Sequence, residues 1–97
     1  MKYYIEMGVL IMPNEDPELF DEYNNVFNEK YGFFDEDRYS VSVLKEAKAD
    51  AFEYVKNGVE KTYAIITEGN SYDMEDVVFS IVKFNGNLIE NFLERWK

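Results

Sequence analysis

Val77-Val-Phe-Ser-Ile-Val-Lys-Phe84, then Asn85-Gly86, then Asn87-Leu-Ile-Glu90, carries the argument for the fold class. The first eight residues are mostly β-branched, aliphatic or aromatic, as in a strand wanted by a core. Asn-Gly between two apolar runs is a strong two-residue hairpin signal, because both central positions of that turn need positive φ. Residues 77–90 therefore read as strand, turn, strand.

Upstream, Thr62-Tyr-Ala-Ile-Ile-Thr67 has the same character and is expected to pair antiparallel with Val77–Phe84 across a loop from Glu68 to Asp76. Downstream, Leu88, Ile89, Phe92, Leu93 and Trp96 also fit one helical stripe, so a short strand passing into a C-terminal helix is expected. Val43–Asn57 reads as a helix with Leu44, Ala47, Ala51, Tyr54 and Val55 inward and Gly58 as its stop. Its alanines allow close packing on a sheet.

The N-terminal part is read in the same way. Lys2–Met12 is a strand with Tyr3, Ile5, Met7, Val9 and Ile11 on one face. Tyr4, Leu10 and Met12 make the other face largely apolar too, which suggests a central strand, and Gly8 marks a bulge or a close backbone approach. Asp16-Pro17-Glu18 starts a helix: Asp16 can accept from free amides, Pro17 suits the first position, and acids complement the positive end. Leu19, Phe20, Tyr23, Val26, Phe27 and Tyr31 recur at helical spacing, which predicts a helix to about Tyr31 with Gly32 as a left-handed cap. Phe33–Ser42 is expected to be a loop with room for a short edge strand, since Asp35-Glu36-Asp37 resembles a solvated turn. The expected fold is α+β: one domain over 1–97, with a small antiparallel sheet of three to four strands packed against two helices.

Composition narrows the function classes. The chain of 97 residues holds 20 acids, 10 bases, no cysteine and no histidine, for a net charge of -10. That charge argues against unassisted binding to nucleic acid or anionic lipid and favours basic partners. Without cysteine there is no disulfide framework, so a cytoplasmic setting is expected. Met1–Met12 lacks a small-residue cleavage site, and no apolar run approaches the roughly 20 residues of a membrane span. Zinc sites lack their usual ligands. Asp35-x-Asp37 with Glu46 has the end spacing of a calcium loop, but Tyr39 and Ser40 replace a ligand and the required glycine. No metal or cofactor is expected. The absence of histidine and of phosphate-loop or nucleophile motifs points away from an enzyme.

The charge is uneven. Residues 1–37 hold ten acids and two lysines (net -8), and residues 38–97 hold ten acids and eight bases (net -2). Glu15, Asp16, Glu18, Asp21, Glu22 and Glu29 follow one another with no base between Lys2 and Lys30. Over a helix of about 22 Å this gives one charge per about 3.7 Å, near the roughly 3.4 Å per phosphate of one DNA strand. The second helix instead mixes Lys45, Glu46, Lys48, Asp50, Glu53 and Lys56. Two accounts fit: an ordinary solvated helix face, or a surface for a cationic, nucleic-acid-binding protein made by Glu18, Asp21, Glu22, Asn25 and Glu29 and extended by Asp35, Glu36 and Asp37. A third places binding on an aromatic patch or sheet edge, since 18% of the residues are aromatic. Charge then serves solubility.

Thr62–Thr67 and Val77-Val-Phe-Ser-Ile-Val-Lys-Phe-Asn-Gly-Asn-Leu-Ile-Glu-Asn-Phe-Leu93, about a third of the chain, resemble the C-terminal part of small uncharacterised acidic proteins of Gram-positive phages and conjugative elements. The resemblance carries over no functional residue. It implies a setting in which small acidic proteins often inhibit host defence, including restriction and CRISPR enzymes.

Overall fold

The computed structural model describes residues 2–24, 30–69 and 76–93. In chain order these form β1 (Tyr3–Ile11), α1 (Pro17–Tyr23), β2 (Gly32–Val41), α2 (Leu44–Asn57), β3 (Thr62–Glu68), β4 (Val77–Phe84) and β5 (Asn87–Glu90). The strands make one antiparallel sheet in the order β2-β1-β3-β4-β5. The α+β class and the antiparallel sheet agree with the sequence, and the strand count rises to five.

β3 lies in the middle, and its run from Thr62 to Thr67 is buried. A continuous apolar run is what a strand covered on both faces requires. Its alternate residues serve two cores. Ala64 and Ile66 join Ile5, Met7, Phe79 and Ile81 beneath Ala47, Ala51 and Val55 of α2. Tyr63 and Ile65 join Leu10, Phe33, Val77, Val82 and Leu93 on the opposite face. Ala47 and Ala51 of α2 are fully buried, as expected of a helix lying close on a sheet.

The hairpin follows its sequence signal. Asn85 and Gly86 have φ of 52° and 79°, and Phe84 pairs with Asn87. Both turn amides donate to the Glu60 carboxylate, Gly86 at 3.2 Å. Gly8 is also confirmed as a special position. The β1–β2 register shifts after Met7, so that Met7 faces Asp37, Gly8 faces Asp35, and Glu36 is the extra, bulged residue. A Cβ on Gly8 would run into the Phe34 carbonyl and stand 2.9 Å from the Asp35 Cα.

Three expectations are corrected. First, α1 is shorter: Asp16 caps it by accepting from Leu19 N at 3.1 Å, but it ends at Tyr23 and Asn24 is extended. The Asn24 amide side chain donates to Tyr31 O at 2.9 Å, and Asn24 forms an antiparallel bridge to Gly32, both of which compete with a continued helix. Gly32 is no left-handed cap. It opens β2, where an added Cβ would lie 3.2 Å from the Ile11 Cβ and 3.4 Å from the Phe20 Cα. Nor is the part of the apolar stripe on α1 a buried face, because no residue of α1 is buried and Leu19 is exposed, whereas Tyr31 packs half-buried against the second core. Val26 and Phe27 lie outside the described residues.

Second, residues 33–41 are strand rather than loop, so the short edge strand allowed for there is longer than expected. β2 is a ten-residue edge strand, and its bulge breaks the alternation that would have announced it. Third, the short strand expected at the C-terminal end is present as β5, but no helix follows it over residues 91–93. Leu88 and Ile89 are exposed on β5, Asn91 has φ of 56°, and Leu93 is buried with its amide on Ser80 Oγ at 3.0 Å. Trp96 lies outside the described residues.

Candidate functional site

Six of the eight residues expected to make the acidic surface are described, and all six are exposed. Glu18, Asp21 and Glu22 project from α1, while Asp35, Glu36 and Asp37 lie on β2. Asn25 and Glu29 lie outside the described residues. Packing of α1 on the start of β2 brings the two groups to one sheet edge. Asn24 bridges Gly32, and the Tyr23 and Phe34 rings meet at 4.9 Å, next to the first β2 acid.

The acids along this edge differ in what they already hold. Glu15 pairs with Lys61 at 2.7 Å and Asp16 serves the helix cap, so neither belongs to a free surface. Asp35 pairs with Arg38 Nε at 3.1 Å. Glu36, turned by the bulge toward α2, accepts from the Tyr54 hydroxyl at 3.4 Å. Beside it the Tyr39 hydroxyl donates to Asp50 at 2.8 Å. Burial, the Asp50 hydrogen bond and the charges of Asp50 and Asp37 push the Tyr39 hydroxyl up to about 12. Burial and the charges of Glu36 and Asp37 raise Tyr54 likewise. Among the described residues, no base pairs with Glu18, Asp21, Glu22 or Asp37. An open cleft of about 470 Å³ lies between the bulge and the end of α2, with Glu36 and Glu53 beside Val9, Tyr54 and Val59.

One ionisable group has a role the sequence did not reveal. Glu6 is 4% exposed, yet it stands in the apolar run of β1. Its Oε2 accepts from the Tyr63 hydroxyl at 2.6 Å and its Oε1 from Arg38 Nη2 at 3.1 Å. Burial raises the Glu6 pKa, and the Tyr63 hydrogen bond and the Arg38 charge pull against that rise. Burial, and then the charge of Glu6, drive the Tyr63 hydroxyl far above its ordinary value. Because Tyr63 is fully buried, a substrate cannot reach this pair, and its work is to tie β2 to β1 and β3. The available signal was an acid inside an apolar strand, but its partners lie 32 and 57 residues away.

Among the described residues, no group of three or more acids could hold a metal ion. Nor, among them, is any helix long and apolar enough to cross a membrane. Compared with protein-family models, with curated proteins and with solved structures, the chain matches none.

Proposed function

We propose that the chain is a non-enzymatic binding module whose acidic sheet edge docks on a basic surface of a nucleic-acid-binding protein, in the manner of a DNA mimic that inhibits host defence. The observation that supports this most is that Glu18, Asp21, Glu22 and Asp37 lie toward one edge with no base among the described residues pairing with them. Since α1 spans only about 10 Å, a phosphate-like row must combine α1 with β2 rather than follow one long helix. The action is occlusion by charge and shape, with complementary charge speeding encounter and making affinity fall with salt.

The test begins with affinity capture from the native host. The captured protein is then titrated with wild type and with a variant carrying Glu18→Gln, Asp21→Asn, Glu22→Gln and Asp37→Asn. Exposed charge pairs contribute about 0.2–1 kcal/mol each, so four should weaken binding by about 0.8–4 kcal/mol, or roughly fourfold to several-hundredfold. Equal affinity for both chains, or affinity unmoved between low and high salt, sinks the proposal.

A second reading is a structural or oligomeric interaction protein that binds through an aromatic patch or sheet edge. It is favoured by Leu88 and Ile89, which are 37% and 42% exposed on β5 at the far edge of the sheet. Concentration-dependent self-association that persists in high salt would select it.

A further inference from the structure

β2 is ten residues long and pairs with β1 on its inner side. Along the outer side the described residues make one pairing, the antiparallel bridge from Asn24 to Gly32. From Asp35 to Val41, no strand among the described residues follows it. A row of backbone donors and acceptors on an open edge is a template for another strand. The bulge at Glu36 divides this edge and leaves Asp37–Val41 as a regular stretch of ordinary strand length.

Charge selects what can add there. Asp35, Glu36 and Asp37 are consecutive and exposed. Two copies meeting edge to edge with Asp35–Asp37 opposed would bring acids from both within about 5 Å across the strands, which disfavours that register of self-pairing. A strand with Lys or Arg at alternate positions meets attraction at the same places. The edge is also held in shape before any partner arrives: Arg38 is fixed on Glu6 and Asp35, Tyr39 on Asp50, and Glu36 on Tyr54. A preorganised edge lowers the ordering cost of binding.

We infer that the outer edge of β2, over Asp37–Val41, takes a basic extended segment of a partner protein as a sixth strand, its cationic side chains reaching Asp35, Glu36 and Asp37. This rests on the cationic-partner reading and adds a backbone-paired mode of attachment to it.

The test uses the full chain and three synthetic nine-residue peptides. One alternates Lys and Val, one carries Glu for Lys, and one is the Lys peptide N-methylated at every amide, which keeps its charge and loses its backbone donors. Titration followed by backbone NMR should show binding of the Lys peptide, slowed amide exchange within Asp37–Val41, no binding of the Glu peptide, and at least tenfold weaker binding of the N-methylated one. Equal binding of the methylated and unmethylated Lys peptides overturns strand addition while leaving the cationic partner intact. Failure of the Lys peptide to bind, or protection confined to β5, overturns it as well. The cationic-partner reading falls separately, on the charge-neutralised variant and the captured protein.

Discussion

α1 and α2 are neighbours of the same sheet and differ in nearly every physical respect. α2 runs for 14 residues, buries Ala47, Ala51 and Val55, and alternates acids with lysines on its outer side. α1 runs for 7, buries nothing, and carries acids and no base. The strands they accompany differ likewise: β3 is buried for six of its seven residues, whereas β2 is exposed through Phe34–Arg38. Stability is therefore concentrated where α2 covers β1, β3 and β4, while β2 beyond Phe33 is held largely by backbone pairing and the Glu6 network. A region relieved of core duty can be given over to recognition.

The largest effect should come from the first region. Ile66→Ala removes a fully buried side chain beneath α2 and should cost about 2–5 kcal/mol, measured by urea unfolding. A loss below about 1 kcal/mol would mean that the β3–α2 core is not where stability lies. Gly8→Ala attacks the second region. Its Cβ meets backbone rather than a pliable side chain, so β1 and β2 must separate, at about 1–3 kcal/mol. Amide exchange should accelerate in β2 before β3, and uniform acceleration would contradict the division drawn between the two regions.

The same division explains what was legible in the sequence. β4, the Asn85-Gly86 turn and β5 were readable because their signals are local: β-branched runs and a dipeptide suited to positive φ. α2 was readable from one unbroken stripe. β2 was not, because Asp35-Glu36-Asp37 looks like a turn unless the strand is known to be at an edge, and Glu36 interrupts the period of two. The extent of α1 was misjudged because its stripe continues to Tyr31, while the Asn24 bond that ends the helix is made to the carbonyl of that same residue. The acids of the candidate site were identifiable by type, but their meeting along one edge depends on β2 being a strand. Glu6 shows the limit most clearly, since its burial is decided by residues distant in the chain.

That buried carboxylate yields the next prediction. Arg38→Ala removes the base facing Glu6 and should cost about 1–3 kcal/mol at neutral pH, tempered by the exposure of Arg38 itself. The sign of the pH dependence follows from the raised Glu6 pKa. Folding favours the protonated acid, so this stability is fully present below the ordinary value of 4.5 and is lost as pH rises through the folded value. Around Glu6 stand Tyr63 from β3 and Arg38 and Asp35 from β2, of which Arg38 opposes the rise and Asp35 reinforces it. Arg38→Ala should thus steepen the loss of stability with rising pH. Glu6→Gln should flatten it, and parallel curves for wild type and Glu6→Gln would show that Glu6 does not set the slope.

The smallest effect on stability is expected where the effect on binding is proposed to be large. Glu18→Gln, Asp21→Asn and Glu22→Gln together relieve like charges four residues apart, worth about 0.2–0.5 kcal/mol. They also remove an acid from the first turn of α1, worth about 0.3–1 kcal/mol in the opposite sense. The two nearly cancel, and since no side chain of α1 is buried, unfolding should move by less than about 0.5 kcal/mol. A loss above about 1.5 kcal/mol would mean that the acids of α1 hold the fold together, and their unbalanced charge would then have a structural cause. An unchanged midpoint leaves three acids of α1 that the fold does not require and that are available for the proposed recognition.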